Sequence, residues 1–445
     1  LMAIVLEHLV PHTESLMNVI ASCACNATLA LAYPNHTFAK AGTKSVAHYL
    51  RPLGYRVALS GKTHIGPKDV FPFEYSKAGN NPDMEAINQL LAECKTSDTP
   101  FCLFACSNEP HTPWNKGDAS QYPPASIKLP PYIADTPTVR EEFGRYLAEI
   151  TYYDDQVGQI LELLEKHGQT ENTLVMVVSE QGNSLPFAKW TCYDHGLQSA
   201  MIVRWPGKVA AGSKADAMVE YTDVLPTFLE AAGKPPVKDL DGKSFLGVLL
   251  GDKQSHKQFS FGEMTTRGII NGSDYYAIRS VRSLQHRLIW NAHHQTTFTN
   301  ACTKSAAFQS MIAAAENGDE TAKELVFKYQ HRPEYELYDC ESDPMQMKNL
   351  ADDPQYADVV TELKVELESW MKSQGDDAKQ SELAALTRQG KYRGKSVEEA
   401  NEAFEKASSN KAKGKKGNAK KANNKKANGK QGNAKNTKNA NSGKK

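Results

Sequence analysis

The sequence predicts an α/β protein in which helices cover both faces of a largely parallel sheet, followed by a smaller antiparallel α+β unit and a disordered tail. Short apolar segments alternate with helical segments between about residues 56 and 232, which is typical of such a sheet. Beyond about residue 255 the alternation gives way to short segments, such as 275–280 and 336–338, that favour antiparallel strands. From Ala407 the chain consists mainly of Lys, Asn, Ala and Gly, and this composition buries too little apolar area to fold.

Polar loops follow three of the predicted strands. The four predicted strands are 56–60, 101–106, 173–178 and 200–204. The first three lead into the loops Gly61–Gly66, Ser107–Pro113 and Ser179–Gly182. Because ligands bind at the carboxyl ends of the strands in open α/β sheets, we expect these loops to converge.

The helical segments have clear periods and boundaries. Residues 84–94 and 222–232 have helical spacing, and Asp135-Thr136-Pro137 supplies cap candidates and a first-turn proline for a long helix that Gly168 ends. One apolar stripe is predicted along that helix: Val139, Phe143, Leu147, Ile150, Val157, Ile160 and Leu164. Residues 1–39 show no clear hydrophobic period, so no element is predicted there.

Length and composition predict three regions. We expect a catalytic domain over 1–255 that is N-terminally incomplete, a C-terminal subdomain over 256–375, and a linker with a Lys/Asn/Gly-rich tail over 376–445. No apolar run is long enough to span a membrane, and no basic residue precedes Lys40, so no secretory signal is visible. The eight cysteines form no paired zinc motif, and Cys102 and Cys106 are predicted to be buried thiols.

The charge is unevenly distributed. The chain carries 52 Lys+Arg and 52 Asp+Glu, but residues 411–445 hold 13 Lys and no acidic residue. The remaining chain therefore has 39 basic and 52 acidic residues, a net charge of −13. We interpret the tail as a solvated extension, and the alternative is an electrostatic tether to an anionic polymer or surface.

Six polar residues in or after these loops are candidates for a site: Lys62, His64, His111, Glu180, Gln181 and Lys189. Lys62 and His64 are two positions apart in a glycine-bounded loop. In an extended backbone such residues point to the same side, so both side chains can face one anion. The later histidine lies between two prolines, and the Glu–Gln pair offers the hard oxygen ligands that Ca²⁺ or Mg²⁺ prefers. Taken singly, each also fits an ordinary structural role.

Several segments form a specific combination, in this order: Gly54–Pro67, Phe71–Glu74, Pro100–Ala105, Pro110–Pro113, Asp154–Ile160, Asn172–Gly182, Lys189-Trp190, Val203–Gly207 and Glu336–Ala351. Together they resemble the sulfatases of the alkaline-phosphatase superfamily, most of all the N-sulfoglucosamine sulfohydrolase (heparan sulfamidase) branch. The resemblance covers about residues 41–375.

The resemblance implies an alkaline-phosphatase-like fold and a hydrolase that releases sulfate from a sulfated sugar or polysaccharide. It implies a divalent cation, usually Ca²⁺, and a formylglycine nucleophile, which makes the formylglycine-generating enzyme a partner. By position, Lys62, His64 and Lys189 match the residues that bind sulfate. His111 matches the histidine near the leaving group.

By the same resemblance, Glu180 and Gln181 match metal ligands, and Cys25 matches the cysteine that becomes formylglycine. Two features depart from the family. Leu29 stands where an arginine is expected, and no aspartate precedes Asp69, although the family opens with a strand ending in two metal-binding aspartates. The sequence is therefore either a truncated record of a sulfatase or a degenerate relative. We expect poor cation binding and weak or no activity.

Two other functions are consistent with these residues. One is a non-catalytic binder of sulfated glycans that uses Lys62, His64, His111 and Lys189 as an anion site. The other is a phosphodiester hydrolase of the same superfamily, which the few His and Asp residues near the loops disfavour because a zinc pair would be expected. The family implies a secretory location (extracellular, periplasmic or lysosome-like). No nucleic-acid partner is expected.

Overall fold

The computed structural model describes residues 2–8, 39, 42–63, 65–77, 79–180, 182–238, 240–269, 271–273 and 275–408, with 2–8 and 388 described by their backbone alone. Residues up to Arg393 form one compact unit. The described residues beyond it, 394–408, belong to a second unit and are helical from 397. Within the described residues, no helix is long and apolar enough to cross a membrane.

Six strands form the first sheet, in the spatial order β3-β2-β4-β1-β5-β6. Their bounds are β1 Met2–His8, β2 Arg56–Gly61, β3 Glu74–Tyr75, β4 Phe101–Ser107, β5 Thr173–Val178 and β6 Met201–Arg204. All neighbours are parallel except β6, which runs antiparallel to β5 at the edge. The predicted α/β class is confirmed.

The central strand β1 lies where the sequence predicted no element. It pairs with β4 from Ala3 opposite Cys102, and with β5 from Met2 opposite Thr173. A strand that lies between two others is a short apolar run without polar/apolar alternation. Sequence periodicity does not distinguish such a run from other buried segments. Its partners, about 100 and 170 residues away, supply the hydrogen bonds that define it.

Helices cover both faces of this sheet. They are α1 Val46–Leu50, α2 Met84–Ser97, α3 Pro137–Lys166, α4 Asp194–Leu197, α5 Val224–Ala231 and α6 Leu246–Leu249. On one face Val57, Phe104 and Met176 pack with residues of α1 and α5. On the other face the alternate strand residues, such as Leu103 and Val175, pack with α2 and α3. The two-residue period of the strands thus divides the core into two layers.

The long helix α3 begins as predicted and buries the predicted stripe wholly or partly, except at Ile150. Thr136 caps it by accepting a hydrogen bond from Val139 N (3.2 Å). Ile150, assigned to the buried stripe, is 37% exposed, whereas the neighbouring Glu149 is fully buried. The prediction for Ile150 was wrong because contacts of Glu149 with a loop, described below, take precedence over an apolar contact there.

A second, antiparallel sheet has the order β10-β9-β8-β7. Its strands are β7 Ser260–Met264, β8 Ile278–Arg282, β9 His286–Asn291 and β10 Tyr335–Asp339. The accompanying helices are α7 Ala306–Glu316, α8 Glu320–Gln330, α9 Ala357–Gln374 and α10 Lys379–Ala385. Val281 and Leu288 pack against Leu363 and Leu367 of α9, so the predicted antiparallel α+β unit is present.

Residues just beyond the predicted linker boundary at 376 are ordered parts of the first unit. Asp376 is 7% exposed and forms a buried ion pair with Arg279 of β8, and α10 follows it. The start of the linker is therefore corrected to lie beyond this segment. Cys102 and Cys106 are buried, as predicted.

Candidate active site

The loops after β2, β4 and β5 begin at the same end of the first sheet. Gly61 pairs with Cys106 in the β2–β4 register, and Lys62 N donates to Cys106 O (3.0 Å). Between β4 and β5, Glu7 of β1 is paired through its backbone with Cys106 and Val178. The carboxyl ends of β2, β4, β1 and β5 thus lie side by side, and the predicted convergence of the loops is observed.

Lys62 is held at this end of the sheet by the loop after β4. Its side chain is 6% exposed, and Nζ donates a 2.6 Å hydrogen bond to Asn108 Oδ1. The Asn108 amide donates to Glu109 Oε2 (3.0 Å), and Asn108 N donates to Asn81 Oδ1 (3.3 Å). Burial lowers the pKa of Lys62 to about 8, partly opposed by Glu180 and Glu109.

Gly61 allows the close approach that brings Lys62 onto β4. Its φ is +100°, and a Cβ there would lie 2.1 Å from Cys106 O and 2.9 Å from Asn81 C. Both obstacles are backbone atoms that no rotamer change moves. A side chain at position 61 would therefore separate the first two loops.

Lys189 is fully buried eleven residues after the end of β5. Among the described residues its Nζ has no hydrogen-bond partner, and it lies 5.3 Å from the centroid of the Trp190 ring. Burial lowers its pKa to about 8, opposed by Glu180. Phe187 and Trp190 on either side adopt positive φ of 64° and 67°, a strained conformation that their burial stabilises.

Glu180 is the group through which the two lysines share one environment. It follows β5 by two residues and is 5% exposed. Its charge acts to raise the pKa of both Lys62 and Lys189, whereas the charge of Lys189 lowers the pKa of Lys62. The Glu109 carboxylate also acts on Lys62, whereas Glu180 is the carboxylate that acts on Lys189. The positive charge that favours a bound anion therefore lies chiefly at Lys189.

A divalent cation is not accounted for by this part of the chain. No group of three His, Cys, Asp or Glu side chains able to hold a metal occurs among the described residues. Calcium takes six to eight oxygen ligands, and Glu180 already interacts with two ammonium groups. The described residues therefore do not fit a divalent cation by themselves.

His111 lies in the loop after β4, three residues beyond Asn108. The same loop is bound by Glu149 of α3, whose Oε1 accepts hydrogen bonds from Asn115 N (2.6 Å) and Lys116 N (3.1 Å). Burial raises the pKa of Glu149 to about 7, and the backbone N–H groups of Asn115, Lys116 and His111 oppose that rise.

Of the predicted site residues, the structure brings together Lys62, Glu180 and Lys189 and positions His111 on the adjoining loop. His64, Gln181 and Cys25 lie outside the described residues. Asn81, Asn108, Glu109 and Glu149 were not among the predicted site residues. Asn108 and Glu109 belong to the polar loop after β4, and Glu149 is a carboxylate next to Ile150 of the predicted stripe.

Comparison with known proteins gives consistent matches. The sulfatase family model matches residues 26–234, and that of the N-sulphoglucosamine sulphohydrolase C-terminal region matches 182–293 and 316–373. An ulvan-active sulfatase from Formosa agariphila is 31% identical over 77% of this chain and 67% of its own length. Human N-sulphoglucosamine sulphohydrolase is 24% identical over 74% of this chain and 73% of its own length.

A solved structure in complex with its substrate, D-glucosamine-2-N,6-O-disulfate, shares the fold. Its TM-score is 0.59 at 16% identity, over 84% of this chain and 98% of that chain. The chain spans only 42% of a second ulvan-active sulfatase from F. agariphila. With both family models matched in chain order, and with 31% identity to the ulvan-active sulfatase over 77% of this chain, the chain belongs to the sulfatase family of hydrolases.

Proposed function

We propose that this chain binds a sulfated sugar or polysaccharide and hydrolyses its sulfate ester or sulfamate group. The observation that carries the proposal is the burial of Lys62 and Lys189 around Glu180 at the carboxyl end of the first sheet. The Lys189 ammonium is fully buried, and among the described residues its Nζ has no hydrogen-bond partner, which is costly. The arrangement is explained if a sulfate group accepts hydrogen bonds from this ammonium.

In this proposal the two lysines bind the sulfate group. Burial strengthens their attraction for an anion because little water competes for it. Asn108 keeps the Lys62 ammonium directed at the site through the 2.6 Å hydrogen bond. His64, the alternate residue in the same loop, is proposed to join them on the sulfate oxygens.

His111 is proposed to give a proton to the departing sugar oxygen or nitrogen. A histidine suits this role because its pKa lies near neutrality. Its loop is anchored by Glu149, which limits how far the imidazole can move. The proposed nucleophile is Cys25, after conversion to formylglycine by the formylglycine-generating enzyme.

For the metal, we propose that Ca²⁺ or another divalent cation is ligated by Glu180 and Gln181 and is bound weakly. The described residues do not complete a shell, so no step of the reaction is derived through the ion. Leu29 stands where the family resemblance expects an arginine. We accordingly expect slow turnover. An extracellular, periplasmic or lysosome-like location is part of the proposal.

The departure at Leu29 favours one alternative, a binder of sulfated glycans that releases no sulfate. To separate the two, the chain is co-expressed with a formylglycine-generating enzyme and supplied with N-sulfoglucosamine, ulvan and 4-nitrophenyl sulfate. Sulfate release that both Lys62→Met and Lys189→Met abolish supports the hydrolase. Calcium-independent binding of the polysaccharide without release supports the alternative. Neither binding nor release in the wild type would contradict both.

A further inference from the structure

We propose that one face of α3 fixes the His111 loop and the Glu180–Lys189 loop relative to each other, with Glu149 and Tyr146 as its positioning residues. The inference rests on the proposed function, which gives both loops a part in the reaction. It concerns neither the residues that bind sulfate nor those that bind the metal. It concerns the helix that fixes the relative position of the two loops that carry them.

Glu149 holds the first loop through backbone groups. One oxygen of this fully buried carboxylate accepts both the Asn115 and the Lys116 N–H, at 2.6 and 3.1 Å. Directly after them, Gly117 has φ +69°, and a Cβ there would lie 2.2 Å from Ala148 O. The loop is thus pressed onto the helix backbone beside Glu149, at a separation only glycine permits.

Tyr146, one turn earlier on the helix, holds the second loop. Its ring packs against the hydrophobic cluster that contains Leu185 and Phe187 of that loop. Burial raises the pKa of the Tyr146 hydroxyl, and its interaction with the Asn183 side chain opposes that rise. Asn183 organises the loop itself, since its backbone O accepts from Lys189 N (3.0 Å) and its Oδ1 accepts from Leu185 N (2.9 Å). A contact with Asn183 therefore acts directly on the backbone position of Lys189.

A third residue continues the same face. Tyr153 OH donates to Val178 O (3.2 Å), the last residue of β5. Tyr146, Glu149 and Tyr153 are spaced by three and four residues, so their side chains lie on one side of the helix. Further along, Ile160 and Leu164 anchor α3 against the sheet. One rigid helix thus contacts both loops and the strand between them.

A buried carboxylate is a costly way to stabilise a fold, because its desolvation is only partly offset by two neutral N–H donors. Glu109, in the loop that Glu149 binds, also raises the pKa of Glu149 by charge repulsion. An apolar residue at position 149 would serve packing alone. What the carboxylate adds is a fixed position for residues 115 and 116, whose N–H groups it binds.

The test combines backbone exchange with kinetics in the full chain. Hydrogen exchange is measured for peptides covering 111–117 and 183–190, alongside kcat and KM for 4-nitrophenyl sulfate, in Glu149→Ala, Glu149→Gln and Tyr146→Phe. Tyr122→Phe is the matched control, because the Tyr122 hydroxyl bonds Thr151 of the same helix outside both loops. Glu149→Gln keeps an acceptor oxygen and serves if Glu149→Ala fails to fold.

We expect Glu149→Ala to speed exchange in 111–117, and Tyr146→Phe in 183–190, each by about tenfold, the effect of losing one buried hydrogen bond. Both should lower kcat by a similar factor while KM changes little. Glu149→Gln should recover most of kcat, and Tyr122→Phe should match the wild type. Unchanged exchange in both loops, or faster exchange with unchanged kcat, would overturn the inference.

A wild type that releases no sulfate would refute the proposed function, and the exchange data would still decide whether α3 holds the loops.

Discussion

Lys62 and Asn108 join the ends of two neighbouring parallel strands through a 2.6 Å hydrogen bond from the ammonium to the amide oxygen. Lys62 follows β2 and Asn108 follows β4, and the bond holds a buried cation beside Glu180. The charge at the end of the sheet therefore depends on a neutral side chain in another loop.

Replacing that side chain should weaken the site without removing a charge. In Asn108→Ala the Lys62 ammonium loses its acceptor, so its pKa should fall below about 8 and sulfate affinity at pH 7.5 should drop about tenfold. The matched control is Asn88→Ala, because Asn88 Oδ1 accepts from Lys166 Nζ (3.0 Å) at the surface. Calorimetric titration with sulfate measures both, and equal affinities would contradict the prediction.

Removing the buried cation of Lys189 should lower sulfate release without lowering stability. In Lys189→Met an ammonium that burial penalises is replaced by an apolar chain of similar length, so we expect unchanged or higher stability, by up to about 2 kcal/mol. Sulfate release should fall at least about a hundredfold. Chemical denaturation and the sulfate assay test this together, with the exposed Lys323→Met as control. A destabilised Lys189→Met protein would show that this ammonium has a structural partner.

Activity and stability should respond to alkaline pH in opposite directions. Burial lowers the pKa of Lys62 and Lys189 from 10.5 to about 8, so between pH 8 and 10.5 the unfolded chain binds more protons and their contribution to stability rises with pH. Across that pH window each lysine should raise the free energy of unfolding by on the order of 3 kcal/mol. Sulfate binding needs the charged forms and should fall as pH rises through 8.

Comparison of wild type with Lys189→Met isolates this effect from other titrating groups. Between pH 7.5 and 10 the unfolding free energy of the wild type should rise relative to that of Lys189→Met by most of that amount. A pH-independent difference would mean that the native pKa of Lys189 is not lowered.

The ion pair between Arg279 and Asp376 should be a main stabiliser of the second sheet. Both side chains are completely buried, so Asp376→Ala leaves an uncompensated guanidinium and should cost about 3 kcal/mol. The loss should lie at the low end because Glu263 also faces Arg279. Glu320→Ala, which breaks the exposed pair with Lys323 at 3.1 Å, should cost less than about 1 kcal/mol. Denaturant unfolding distinguishes the two.

Calcium should bind weakly. Because the charge of Glu180 acts on both lysines and no three-ligand group exists among the described residues, we expect a dissociation constant above about 1 mM. Thermal unfolding with and without 1 mM CaCl₂ should then give nearly the same midpoint. A shift of several degrees, absent in Glu180→Gln, would show that other residues complete the shell.

The amino-acid sequence by itself determined the alternation of strands and helices and the loops that carry Lys62, His111 and Glu180. These follow from local period and turn chemistry, and the strand Thr173–Val178 matches its predicted bounds. Family resemblance added the order of the motifs and hence the reaction class.

Tertiary structure decided what depends on distant pairing. The central strand Met2–His8 exists through partners about 100 and 170 residues away, and no local pattern predicts it. Glu149, which is not part of the predicted apolar stripe, is buried because two backbone N–H groups of a remote loop satisfy it. The depressed pKa values of Lys62 and Lys189 also depend on tertiary structure. Burial lowers both values and Glu180 opposes the fall. Both effects are properties of the folded chain, since a side chain's solvation depends on every segment packed around it.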